Sequence, residues 1–131
     1  MVRLMPLARI DLVEGKSAEF RRGVGDVIYL AMLKTLNVPE GDRFQVITEH
    51  SSENFVADKD YLGVTRSADC IFLQITLNEG RGIEAKKAFY KAVADGLHEQ
   101  LKVRREDIVI SLVEVRKSDW SFGNGEAQYV T

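Results

Sequence analysis

ITLNEGRGIEAKK (Ile75–Lys87) repeats, 65 residues further on, the pattern of IDLVEGKSAEFRR (Ile10–Arg22). Ile10 meets Ile75, Leu12 meets Leu77, and Glu14-Gly15-Lys16 meets Glu79-Gly80-Arg81. Glu19 meets Glu84, and the basic pair Arg21-Arg22 meets Lys86-Lys87. At the same offset Val38 meets Val103 and Asp42 meets Asp107. Matches spread over a whole unit at one offset mark an internal duplication, and such repeats decide the fold before any local pattern does.

Each unit reads as strand, helix, strand. In the first, Leu7 to Val13 ends at Glu14-Gly15, and Ser17 suits a helix N-cap. Phe20, Val24, Val27, Ile28, Ala31 and Leu36 then recur at helical spacing. Pro39-Glu40-Gly41-Asp42 is turn chemistry, and Phe44, Val46 and Thr48 alternate with Gln45, Ile47 and Glu49 as in a strand. In the second unit Cys70 to Leu77 is a nearly continuous apolar run. A helical stripe of Ala85, Ala88, Phe89, Ala92, Val93, Gly96, Leu97 and Leu101 follows, and Ile108 to Val115 closes the unit as a strand. The sequence predicts one domain over residues 1–131, with units 6–49 and 70–115 and a tail 116–131.

A strand-helix-strand crossover makes a right-handed parallel pair. Two of them predict an α/β (α+β) fold: a tandem β-α-β repeat forming a four-stranded mixed sheet with both helices on one face. The run Cys70–Leu77 reads as apolar on both sides, Ile71, Leu73 and Ile75 one way and Cys70, Phe72 and Leu77 the other. That predicts an exposed apolar face and an oligomer joined through its sheets. Residues 50–69 form a polar connection with room for a short helix. The tail carries Trp120, Phe122 and Tyr129 around Gly123-Asn124-Gly125, read as a C-terminal short hairpin.

Composition bounds the function. The 131 residues suit a single core. A formal net charge of −2 gives no electrostatic reason to expect nucleic acid or an anionic membrane as a partner. No apolar run approaches the roughly 18 residues that span a bilayer. The start, MVRLMPLARI, lacks the apolar core and cleavage site of a signal peptide. The single cysteine, Cys70, sits in an apolar run and reads as a buried structural thiol, which fits a reducing, cytoplasmic setting. His50 and His98 show no ligand spacing, so no metal site is expected. Gly80-Arg81-Gly82 is too short for a phosphate loop.

The opening PLARIDLVEGKS resembles the tautomerase superfamily pattern of a proline, a strand and Glu-Gly-Arg-Ser, with Lys16 in place of the arginine. VPEGDRFQVITEH, LGVTRSADCIFLQIT and DWSFGNGEAQ resemble the malonate semialdehyde decarboxylase branch, and the likeness runs from about Pro6 to Tyr129. The resemblance implies a homotrimer and a cofactor-independent enzyme acting on a small 2-keto or unsaturated carboxylic acid. It implies that Pro6, as an amino-terminal secondary amine, is the catalyst, and that Asp42 orients that amine or a water. It implies that Arg81 binds the substrate carboxylate and that Trp120 and Phe122 line the pocket. The branch carries an Arg-x-Arg pair after its third strand where this chain has Asn78-Glu79-Gly80, with Arg81 one place on.

These residues also admit simpler readings. Pro6 reads as a strand-start proline, and Asp42 as a turn residue like its repeat mate Asp107. An α-amine has a reference pKa of about 7.7–8.0, lowered by burial or a nearby cation. Neutral, it is a general base for keto–enol tautomerisation; protonated, it is a general acid for hydration or related lyase chemistry. MVRLM before Pro6 decides between enzyme and non-catalytic or ligand-binding fold. While those residues remain, the Pro6 nitrogen is a tertiary amide with neither a basic lone pair nor a proton.

Overall fold

A computed structural model describes residues 6–130. Residues 1–5, and with them the state of the MVRLM segment, lie outside the described residues, as does residue 131. The chain runs β1 (Leu7–Val13), α1 (Ala18–Thr35), β2 (Phe44–His50), β3 (Asp60–Tyr61), β4 (Val64–Thr65), β5 (Ile71–Asn78), α2 (Ile83–Leu101) and β6 (Ile108–Val115). Single 3-10 turns stand at Ser52–Asn54, Arg105–Asp107, Lys117–Asp119 and Gln128–Val130.

The main sheet has the order β2-β1-β5-β6. β1 pairs with β2 and β5 with β6 in parallel, and the two units join antiparallel through β1 and β5. The duplication is carried into the backbone: α1 and α2 begin at Ala18 and Ile83, 65 residues apart. Equivalent special conformations recur, with φ of 116° and 123° at Gly15 and Gly80 and 55° and 59° at Asn37 and Lys102.

Both helices cover one face. Ala8, Ile10 and Leu12 of β1 and Ile71, Leu73, Ile75 and Leu77 of β5 meet Val24, Val27, Ile28, Phe89, Val93 and Leu97 in one buried cluster. Each such side chain contributes about 1.5–3 kcal/mol by leaving water. Ser17 caps α1 by accepting a hydrogen bond from the Phe20 N–H at 3.0 Å. Gly82 occupies the same position before α2 and supplies no side-chain cap.

Two expectations need correction. Leu77 has the parity of Ile75 and lies in the core, 1% exposed, so the outer face of β5 carries Phe72, Gln74 and Thr76 instead. Phe72 is covered by the chain itself, because Phe55 from the connection stacks on it with ring centroids 4.4 Å apart. The exposed apolar residues of that face come from the edge strands: Phe44, Val46, Val109 and Val113.

The tail, moreover, forms no hairpin. The short hairpin of the fold, β3–β4, lies in the connection. In the tail, Gly123, Asn124 and Gly125 all have positive φ. The Gln128 side chain closes the loop, accepting from the Phe122 N–H at 2.9 Å and donating to the Gly123 carbonyl at 2.8 Å. The flanking aromatics pack on one another rather than pairing as strands.

Candidate functional site

Pro6 stands one residue ahead of β1 and is fully buried. A proline is tolerated at the first position of an inner strand because no ladder donor is lost there. Its place in the sheet follows from register: Leu7 faces Phe44 on one side and Thr76 on the other. The start of β2, with Asp42 and Arg43, and the end of β5, with Leu77 and Asn78, therefore reach the same end of the sheet as Pro6.

Asp42 closes the turn after α1. Its N–H donates to the Pro39 carbonyl at 3.3 Å, Gly41 takes φ 89°, and the residue is 6% exposed. Arg43 is directed outward, ion-paired to Asp26 at 2.7 Å and stacked 4.9 Å over Tyr29.

Arg81 lies between β5 and α2. Gly80, with φ 123°, turns the chain so that the arginine reaches back. Its Nε donates to the Leu36 carbonyl at 3.1 Å, and its Nη1 to the Asn78 carbonyl at 3.0 Å. The guanidinium is thereby fixed by one carbonyl just beyond α1 and another at the end of β5. Nη2 is buried and has no hydrogen-bond partner among the described residues. Burial lowers the Arg81 pKa, partly offset by the nearby Glu114 and Tyr129.

Asn78 joins the arginine to the tail. It is 3% exposed, and its Oδ1 accepts from the Trp120 Nε1 at 2.7 Å. Trp120 stacks on Phe122 at 5.5 Å, and Phe122 meets Tyr129 edge-on at 4.9 Å. The Asn78 Nδ2, like the Arg81 Nη2, is buried without a partner among the described residues.

Arg81, Trp120 and Phe122 thus form one connected group through Asn78, at the sheet end where Pro6 and Asp42 also lie. Sequence reasoning named Asn78 only as a departure from a pattern. The signal it left unused was an amide ending the strand on which Leu77 and Ile75 are buried. The Leu36 carbonyl that anchors Arg81 has no side-chain signature at all.

The second unit offers the equivalent position without the equipment. By the 65-residue offset Ile71 replaces Pro6, Lys16 replaces Arg81 and Asp107 replaces Asp42. Asp107 is committed to structure, accepting from the Ser67 N–H at 2.7 Å and the Ser67 hydroxyl at 2.6 Å. A cavity of ≈ 110 Å³ opens there, lined by Lys16, Phe20, Cys70, Ile71, Leu101 and Asp107 among others. Ile71, inside a strand, has only an amide nitrogen, so this cavity cannot repeat proline chemistry.

The histidines are engaged elsewhere: His50 Nε2 lies 2.6 Å from the Asp11 carboxylate, and His98 Nδ1 lies 3.0 Å from the Val103 carbonyl. Among the described residues no group of three His, Cys, Asp or Glu could hold a metal ion, and no helix is long and apolar enough to cross a membrane. Cys70 is buried, its thiol donates to the Ser67 carbonyl at 3.4 Å, and burial raises its pKa.

Two family models, each described as a tautomerase enzyme, match residues 42–123 and 6–65, the latter beginning at Pro6. The chain is 40% identical over 126 residues to "Probable tautomerase YusQ" of Bacillus subtilis (strain 168), covering 96% of this chain and 99% of that one. A crystal structure of FG41 malonate semialdehyde decarboxylase inhibited by 3-bromopropiolate superposes with TM-score 0.88 at 36% identity, covering 95% and 94% of the two chains. A fused 4-OT symmetric trimer shares the fold, with TM-score 0.75 at 17% identity over 92% and 94%. With the architecture and these likenesses together, the chain belongs to the tautomerase family.

Proposed function

We propose that the protein is a cofactor-independent enzyme that moves a proton within a small 2-keto or unsaturated carboxylic acid, using the Pro6 amine once Met1–Met5 are removed. The observation that carries this reading is the fixed guanidinium of Arg81, held by two carbonyls with one buried nitrogen left to give, at the sheet end where Pro6 lies. In this reading Arg81 holds the substrate carboxylate through a charge-assisted hydrogen bond. The neutral Pro6 amine takes the proton from the enol oxygen and returns it to the adjacent carbon. The electron pair of the carbon–carbon double bond takes up that proton as the carbonyl forms, so nothing else is consumed. Asp42 orients the amine, and Trp120 and Phe122 exclude water, which strengthens the charge interactions.

The reading includes a homotrimer, supported by the exposed apolar residues of the outer sheet face and by the trimeric fold-mate. It includes a cytoplasmic setting, supported by a single unpaired thiol. A decarboxylase or related lyase is the second reading, favoured by the likeness to a malonate semialdehyde decarboxylase.

The test compares chains that begin at Pro6 with chains that retain residues 1–5. The former are expected to ketonise enol-phenylpyruvate, and Pro6→Ala is expected to lower the rate at least ~100-fold. The chain retaining residues 1–5 is expected to be inactive, since its proline nitrogen is an amide. Full activity in Pro6→Ala would remove the proline mechanism. A rate that rises with pH through the amine pKa marks a general base, and one that falls marks a general acid. Intact mass of the protein from its native host tells which amino terminus it carries.

A further inference from the structure

We propose that Asn78 is a substrate-positioning residue, and that its Nδ2 and the Arg81 Nη2 act together as a two-donor clamp for one carboxylate group. The proposal deepens the functional reading above and rests on it for the identity of the site. Three observations carry it. The two nitrogens are two of the three buried side-chain nitrogens without a partner among the described residues, the third being Arg66 Nε; they belong to residues joined by the Arg81 Nη1 bond to the Asn78 carbonyl, and Asn78 is almost wholly inaccessible. Roughly nine in ten buried polar groups in native structures have a partner, so two orphans on neighbouring side chains point to an acceptor that arrives from outside. Both side chains are also held still from behind. Arg81 is fixed through Nε and Nη1, the latter donating to the backbone carbonyl of Asn78 itself.

The Asn78 amide orientation is set by its other end. Trp120 Nε1 is a donor only, so the atom 2.7 Å away must be the amide oxygen, which leaves the NH2 group as the unpartnered end of the side chain. A neutral amide together with one guanidinium nitrogen would offer two donors and a single positive charge. That matches the two oxygens and single negative charge of a carboxylate, and disfavours a neutral amide or ester ligand. The first turn of α2 adds backbone N–H groups for which Gly82 provides no side-chain acceptor.

Trp120 is the one tryptophan of the chain, so its fluorescence reports on this site. The full chain is titrated with 3-phenylpropanoate and with the neutral 3-phenylpropanamide, neither of which needs proline chemistry. The carboxylate is expected to bind at least ~10-fold more tightly than the amide, as a charged hydrogen-bond pair does. Asn78→Asp keeps the acceptor for Trp120 but puts an oxygen where the donor was, and is expected to reduce that preference at least ~10-fold. In the chain beginning at Pro6, the same change should raise KM for phenylpyruvate more than it lowers kcat. Asn78→Leu is the second variant, with circular dichroism and thermal melting confirming the fold. A preference unchanged in any folded variant, or absent from the unaltered chain, overturns the clamp. A preference that falls as expected while Pro6→Ala stays active keeps the clamp and removes the proline mechanism, so the two failures are distinguishable.

Discussion

Asp42 and Asp107 stand at the same position of the two units, and the proposed function gives them different uses. Asp107 is 2% exposed and accepts two hydrogen bonds from Ser67, with Arg104 at 3.6 Å. It pins the connection to the foot of β6. Asp107→Ala leaves the half-buried Ser67 N–H without its acceptor and is expected to cost about 1–3 kcal/mol in urea unfolding. Because it lies on the opposite unit from Pro6, its kcat should be that of the unaltered enzyme wherever the protein is folded. Asp42→Asn is expected to do the reverse at the catalytic step, lowering kcat at least ~10-fold by removing the charge that, in the proposed mechanism, orients the amine. Equal effects of the two substitutions on kcat would refute the division of roles. The sequence alone could not separate them, since both precede a strand and both follow a turn.

Between elements, the helix pair is held by close approach. A Cβ added at Gly96 of α2 would lie 2.7 Å from Val27 Cγ1 of α1, nearer than real side chains come. Glycine costs a helix interior about 1 kcal/mol relative to alanine, and this contact is the physical reason it stands there. Gly96→Ala is therefore expected to destabilise the protein by ~1–3 kcal/mol despite the better helix propensity. Combined with Val27→Ala it should cost less than the sum of the two single losses, a coupling that denaturant titration of the four proteins measures. Additive losses would show that the helices are not in contact there. The two helices and their stripes were legible from spacing alone, Gly96 included. The tail was not: Gly-Asn-Gly suits a hairpin, but the aromatics beside it gain more by stacking on one another than by pairing as an isolated ribbon.

For the whole molecule, the sheet face away from the helices carries its apolar surface on the edge strands. Phe44 and Val46 on β2 and Val109 and Val113 on β6 are each between 38% and 45% exposed. In the trimeric reading these are contact residues. Val46→Glu with Val113→Glu is expected to shift light-scattering mass from three chains towards one, because a charge buried without a partner opposes association. Retention of the trimer would mean that this face is not the interface.

What the amino-acid sequence determined by itself is the duplicated unit: its four sheet strands, the helices and their inward stripes, and the resemblance through which Pro6, Asp42, Arg81, Trp120 and Phe122 were named. The elements follow from periodicity and spacing, which are properties of the chain taken locally; the site residues follow only from the resemblance. What only the tertiary structure decided is which polar groups are left with nothing to bind. Arg81 is anchored by the carbonyl of a residue 45 positions earlier, and Asn78 by an indole 42 positions later. Whether a donor is satisfied depends on what the fold brings within about 3 Å of it, and in this protein that is the difference between a strand-ending asparagine and a candidate clamp for a carboxylate.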